Sequence, residues 1–308
     1  MINHIGQIPA AAALKFSNKD ALVFEGQTFS FNQINDLVER AAGGLSDLGI
    51  VPGDTVTLYA GNSWEWIVSY YAIARLGAVI NPVNTMLTPN EIEYVVKDCG
   101  AKAIIASPEK VDAIIRVKNF SDVKEIISFG ADVANGAVSF DALIDANILP
   151  PEPVEIDPAA LSTIGYTSGT TGHPKGAMQS HRAVITNGAM TSQIQMRGAN
   201  DCVVSALPCP HVYANVIMMS MMMFGSKLVL HRTFDVDLAF ADITAHKATI
   251  FDGVPAMYMF MLNSPAIKNA NLSSLTRCYV GGQTMPVATM QAVEVAFKVP
   301  LIELWGMT

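Results

Sequence analysis

Charge is what this chain has least of. Charged residues fill 15% of its 308 positions, against about 25% in an ordinary soluble domain, while hydrophobic residues reach 51%. Its 19 Lys and Arg against 27 Asp and Glu leave a formal net charge of −8. No basic run or Lys/Arg stripe appears anywhere. The electrostatic footprint of a nucleic-acid binder is therefore missing, and affinity for polyanions or anionic membranes is disfavoured. A local anion site stays open, because a few aimed donors hold a phosphate whatever the global sum.

Cysteine is scarce too. Cys99, Cys202, Cys209 and Cys278 form no C-x-x-C pair and are too sparse for a disulfide framework. Zinc could be imagined on Cys202, Cys209 and His211, but no second pair of matching spacing completes a ligand set. Reduced, mostly buried cysteines in a cytoplasmic protein are expected. The opening "MINHIGQIPAAAALKFSNKD" lacks the basic n-region and long apolar stretch of a signal peptide. The most apolar run, Val212–Phe224, would span roughly 20 Å as a helix against a bilayer core of roughly 30 Å. Gly225, Ser226 and Lys227 then end it. We read a buried helix there and expect no stable membrane insertion.

What is present is a core-rich composition and an alternation of strands with helices. "DTVTLYA" (Asp54–Ala60), "AVINPV" and "KAIIAS" read as strands, with "SWEWIVSYYAIARLG" a largely buried helix among them. "TPNEIEYVVKDCG" is a capped helix: Thr88 at the N-cap, Pro89 at the first helical position, Glu91 completing the box, Gly100 closing it. The later half reads as strands at Asp201–Leu207, Ser226–His231, Ala248–Gly253, Arg277–Gly282 and Pro300–Gly306. Helices are predicted near Ala214–Phe224, Val236–His246, Pro255–Asn263 and Pro286–Lys298. This pattern predicts an α/β fold: stacked, doubly wound, mostly parallel sheets with flanking helices. The acidic, proline-rich Pro151–Ala160 is a candidate seam between two interleaved α/β subdomains spanning 1–308. The final "PLIELWGMT" stops in what reads as a loop after a strand, so the sequence suggests the N-terminal portion of a longer protein.

One stretch concentrates the chemistry: "YTSGTTGHPKG", Tyr166–Gly176. It is not the G-x-x-x-x-G-K-[ST] loop, and no G-x-G-x-x-G follows a strand anywhere. "GYTSG" has its serine one place late for a nucleophile elbow. Thr167, Ser168, Thr170 and Thr171 offer hydroxyl donors. Gly169 and Gly172 let backbone N–H groups point into an anion nest, and Lys175 adds a compact positive charge. A solvated Gly/Ser/Thr linker has the same composition. A linker, however, has no need of the strand "LSTIGY" before it or of the helix-forming "HRAVITNGAMTSQIQM" behind it.

The loop resembles the phosphate loop of the adenylate-forming (AMP-dependent synthetase/ligase) superfamily, which includes acyl- and aryl-CoA synthetases, beetle luciferases and peptide-synthetase adenylation domains. Three further stretches follow in that family's order: "LPCPHVYA" (Leu207–Ala214) for its LPxxH segment, "YVGGQTMP" (Tyr279–Pro286) for its GGAP-type adenine turn, and "LWGMT" (Leu304–Thr308) for its YGxTE motif. "ALVFEGQTFSFNQINDLVERAAGGLSDLGIVPGD" is similar to its opening segment.

The resemblance implies an ATP-dependent acid:CoA ligase. An acyl-adenylate forms with release of pyrophosphate, and the thiol of CoA then displaces AMP. By the same resemblance, Thr167, Ser168, Gly169, Thr170, Thr171, Gly172 and Lys175 would hold the β- and γ-phosphates, Thr170 or Thr171 also meeting Mg²⁺. Gly281, Gly282 and Gln283 would form the adenine turn. Trp305, with Gly306, stands where the family usually has Tyr-Gly and would stack on adenine. Thr308 would lie near the α-phosphate. His211 would gate the acyl pocket, bordered by Tyr213, Gly253 and Val254. The motif's glutamate, the ribose-binding aspartate and a C-terminal domain with its catalytic lysine are not in this sequence. The chain alone is accordingly expected not to make acyl-CoA.

For the acid, Val212 stands where amino-acid-activating members carry an aspartate, which argues against an amino acid. The methionine-rich helix leans toward a medium- or long-chain fatty acid, while Tyr213 leaves an aryl acid open. A non-catalytic nucleotide- or acyl-binding fragment is the rival of another class.

Overall fold

The computed structural model describes residues 2–119, 121–131, 133, 136–167 and 174–307. Two compact units emerge, one of Met1–Asn18 and Phe31–Gly188, the other of Lys19–Ser30 and Ala189–Met307. The strands run in chain order as β1 (Asp20–Phe24), β2 (Gln27–Ser30), β3 (Thr55–Tyr59), β4 (Val79–Pro82), β5 (Ala101–Ala106), β6 (Glu125–Ser128) and β7 (Val138–Ser139), then β8 (Leu161–Thr167), β9 (Lys175–Ser180), β10 (Cys202–Ser205), β11 (Lys227–Leu230), β12 (Ile250–Gly253), β13 (Arg277–Val280) and β14 (Leu301–Glu303).

Each unit holds a seven-stranded sheet, with order β7-β6-β5-β3-β4-β8-β9 in the first and β14-β13-β12-β10-β11-β1-β2 in the second. Pairing is parallel throughout except for one edge hairpin in each, β8 with β9 and β1 with β2. The two connection patterns match. A starting strand (β3 or β10) takes its successor on one side, and the chain then crosses to the other. Open sheets of this kind bind ligands at the carboxyl ends of their strands, beside such a reversal.

Local chemistry explains the elements. β3, β10 and β12 are buried at every position, as parallel strands covered on both faces are. The Trp64–Arg75 helix starts on Ser63, whose Oγ accepts from the Trp66 N–H at 3.1 Å, and stays buried from Trp66 to Arg75. The Pro89–Asp98 helix has its capping box: the Thr88 N–H donates to Glu91 Oε2 at 2.7 Å and the Glu91 N–H returns to Thr88 Oγ1. Asp235 caps the Val236–Ala245 helix at 2.8 Å, and Gly225 ends the Val212–Phe224 helix at φ 79. Between β1 and β2, Glu25 and Gly26 turn with φ of 46 and 79, two left-handed residues as a tight hairpin requires.

Each unit has its own core. In the first, Ile92, Val95 and Val96 of the Pro89–Asp98 helix pack with Ile104 of β5 and Ile126 of β6. In the second, Phe240, Ile243, Tyr258 and Phe297 pack with Val204, Phe251 and Val280 from its sheet. Each such fully buried side chain contributes about 1.5–3 kcal/mol. Among the described residues no helix is long and apolar enough to cross a membrane.

Candidate functional site

In the first unit the hairpin β8–β9 carries the glycine-rich loop. Thr167 ends β8, Lys175 begins β9, and the two stand opposite in register, one step beyond Tyr166 and Gly176. The sequence reading passed from the loop to a helix; the structure interposes β9, and the helix follows as His181–Ile194. Ser168, Gly169, Thr170, Thr171 and Gly172 lie outside the described residues, as does Thr308. The root of the loop is braced. The Tyr166 hydroxyl donates to Asp98 Oδ2 at 2.5 Å. Burial first, and then that carboxylate, push the phenol pKa far up. Gly176 has to be glycine, because a Cβ there would sit 2.8 Å from Ile164 Cγ2 and 3.2 Å from Tyr166 Cζ. Lys175 is exposed.

In the second unit the carboxyl ends of β12, β13 and β14 and the start of the Val212–Phe224 helix converge. His211 is that helix's N-cap, its Nδ1 accepting from the Tyr213 N–H at 3.2 Å. An accepting Nδ1 places the proton of the neutral ring on Nε2. His211 is solvent-accessible, yet the protein packed around it lowers its pKa, favouring that neutral form. The Tyr213 hydroxyl donates to Asp252 Oδ1 at 3.0 Å. The edge of its ring occupies the space beside Gly281, where a Cβ would meet Tyr213 Cε1 at 3.1 Å and the Leu304 carbonyl at 3.3 Å. The Gly281 N–H donates to the Gly253 carbonyl at 3.3 Å. Gly282 turns the chain at φ +84, and a Cβ on it would lie 3.4 Å from Val254 Cγ1. Tyr213, Gly253, Val254, Gly281 and Gly282 therefore form one cluster. Gln283, Trp305 and Gly306 are exposed, Trp305 at 85%.

The sequence reading missed what lies beneath Tyr213. Arg197 Nη2 stands 2.8 Å from both oxygens of Asp252, and both side chains are fully buried. Arg197 Nε donates to Gln195 Oε1 at 2.5 Å, and its guanidinium lies 5.0 Å over the Tyr279 ring. The Tyr279 hydroxyl donates to the Gln195 carbonyl at 2.6 Å, and Ser205 Oγ to the Asp252 carbonyl at 3.1 Å. A signal existed: an aspartate inside the otherwise apolar strand "IFDG" has to find a partner. Burial, then the Asp252 charge, raise the Tyr213 phenol pKa, so it remains a donor.

No group of three or more His, Cys, Asp or Glu suited to a metal occurs among the described residues. The His211 Nδ1 is committed to its helix cap. The four cysteines are free thiols, and burial pushes Cys202 up to about 11 and Cys278 to about 12. A magnesium ion that travels on nucleotide phosphates needs few protein ligands. Its candidate contacts, Thr170 and Thr171, are among the residues not described.

Comparison with known proteins follows the same lines. The family described as AMP-binding enzyme matches residues 10–308. The indoleacetate–CoA ligase of Aromatoleum aromaticum is 30% identical over 308 residues, covering 99% of this chain and 58% of that protein. The long-chain-fatty-acid–CoA ligase of Bacillus subtilis is 26% identical over 317 residues, covering 96% and 58%. An inhibitor-bound crystal structure of the N-terminal domain of FACL13 from Mycobacterium tuberculosis superposes with a TM-score of 0.89 at 26% identity, over 99% of this chain and 76% of that one. The chain thus spans 58% of the length of each of these two curated relatives.

Proposed function

Because this chain belongs to the AMP-binding enzyme family, we propose that it carries the nucleotide- and acid-binding part of an ATP-dependent carboxylic acid:CoA ligase whose substrate is an aryl acid. In that reaction a carboxylate oxygen attacks the α-phosphorus of ATP and pyrophosphate leaves. The sulfur of CoA then attacks the acyl carbon, and AMP leaves.

One observation carries the reading. Two candidates for the acid pocket touch two for the adenine turn: Tyr213 lies against Gly281, and Val254 against Gly282. An acyl-adenylate joins an acid to a nucleotide, and a site for it has to place those two surfaces side by side. Gly281 and Gly282 offer backbone where a side chain would block approach, and Trp305 offers an exposed π-face for adenine. His211, neutral at the head of its helix, would stand at the pocket entrance. Thr167 and Lys175, with the loop between them, would take the β- and γ-phosphates, and the Thr170 or Thr171 hydroxyl would meet the Mg²⁺ that accompanies them.

The aryl choice rests on the flat Tyr213 ring and on the likeness to an indoleacetate ligase. A fatty acid is the second reading, favoured by the methionine-rich Val212–Phe224 helix and by the Bacillus relative. Calorimetry of the chain with ATP·Mg²⁺ tests the nucleotide half. Binding is expected, weakened about tenfold or more by Lys175→Ala, since a hydrogen bond from a charged group is worth about 1.5–3 kcal/mol. Equal heats from both proteins, or none from either, would remove the loop from the site. A panel of aryl and alkyl acids then separates the two substrate classes.

A further inference from the structure

Nothing in nucleotide chemistry explains the ion pair under the acid pocket. Asp252 is fully buried in β12, and Arg197 approaches it from the chain segment before β10 with no exposed surface of its own. Buried ion pairs are weak devices for stability, since well-packed apolar residues of similar size often do as well. This pair does hold something specific. Asp252 Oδ1 accepts from the Tyr213 hydroxyl at 3.0 Å, and Arg197 Nη2 contacts the same oxygen at 2.8 Å. The far side of Arg197 is pinned by Gln195 and by the Tyr279 ring. Gly281 leaves just enough room for the edge of the Tyr213 ring. The ring is therefore held at its hydroxyl and along its edge, with two residues of the pair and one glycine setting its plane.

We propose that Arg197 and Asp252 are positioning residues for acid specificity: they lock Tyr213 as a flat, immobile wall that accepts a planar aryl acid and disfavours a flexible alkyl chain. This rests on the acid-ligase reading above. An untethered ring can turn and open a rounder space, which admits alkyl chains and gives an aryl ring less continuous contact. Discrimination between the two classes, rather than affinity in general, is what the pair controls.

The test uses two non-hydrolysable acyl-sulfamoyl adenosines on the same chain, one 4-hydroxycinnamoyl and one decanoyl, titrated with melting followed in parallel. The unsubstituted chain is expected to favour the aryl compound. Tyr213→Phe removes one hydroxyl and leaves Asp252 on Arg197. It is expected to cut aryl affinity about tenfold, the range one pocket contact commands, while decanoyl affinity rises rather than falls. Asp252→Asn is expected to shift the ratio the same way with a lower melting temperature. A merely structural role would weaken both compounds together or neither, and an unchanged ratio in Tyr213→Phe overturns the proposal. Equal affinity of the unsubstituted chain for both compounds overturns it too but leaves the ligase reading standing. Binding of neither compound refutes the ligase reading itself, and this inference with it.

Discussion

Gly281→Ala adds one methyl at a crowded point of the proposed site. The new Cβ would lie 3.1 Å from Tyr213 Cε1, 3.3 Å from the Leu304 carbonyl oxygen and 3.4 Å from Leu304 Cβ. A neighbour has to yield by a few tenths of an ångström. Leu304 is held by its own N–H, which donates to the Val280 carbonyl at 2.7 Å. Tyr213 is held through Asp252 by Arg197. Neither yields freely, so the cost should fall in the range for an overpacked methyl, about 1–2 kcal/mol. For a body of this size that lowers the melting temperature by about 2–4 °C per kcal/mol. An aryl-adenylate analogue should bind about tenfold more weakly, because the displaced ring would be a wall of the proposed pocket. Gly282→Ala is the control. Its nearest contact, Val254 Cγ1 at 3.4 Å, is ordinary, but its φ of +84 strains any side chain by about 1–2 kcal/mol. Gly281→Ala and Tyr213→Leu together should cost less than the sum of the two single changes, without restoring aryl binding. A Gly281→Ala chain that melts and binds like the parent would show that Tyr213 and Leu304 are not held in place.

Two predictions concern stability. His4 and His181 are buried with ring centroids 5.7 Å apart, and His181 Nδ1 accepts from the Ile5 N–H at 3.2 Å. Burial first, then their charged neighbours, lower both pKa values, His181 to about 4 from 6.5. The unfolded chain therefore binds the extra proton first. This contribution is complete above pH 6.5 and is lost as pH falls toward 4. Urea midpoints at pH 7 and pH 4.5 should differ clearly less in His181→Gln than in the parent; an identical difference would clear His181 of the effect. Separately, Arg197→Met strands the Asp252 carboxylate and should cost about 3–5 kcal/mol, whereas Arg197→Met with Asp252→Leu should recover most of it. Urea melts showing the double variant no better than the single would mean the pair is not a unit.

Much of the second unit was legible because its elements are locally consistent. The Pro255–Asn263 helix ends as read, and Val212–Phe224 and Val287–Phe297 differ from expectation by a residue or two. Short apolar strands bounded by glycine and capped helices announce themselves. β9 escaped because "KGAMQS" has neither alternation nor β-branched residues, and it stands only as the partner of β8. The β1–β2 hairpin joins the sheet of the second unit from the far end of the chain, through the parallel pairing of β1 with β11. No local pattern encodes that choice of partner. At the candidate site, the glycines and the histidine were named through motifs. Arg197 and Asp252 lie one layer deeper, beneath Tyr213, and only the buried charge in "IFDG" pointed to them.

We propose that the carboxyl edge of the second unit's sheet is one continuous site for an acid joined to a nucleotide. A crystal structure of the chain with a non-hydrolysable aryl-adenylate tests it most directly. The aryl ring is expected against Tyr213 and Val254, with adenine on the Gly281–Gln283 turn. An analogue bound elsewhere, or an aryl ring that leaves Tyr213 untouched, would contradict it.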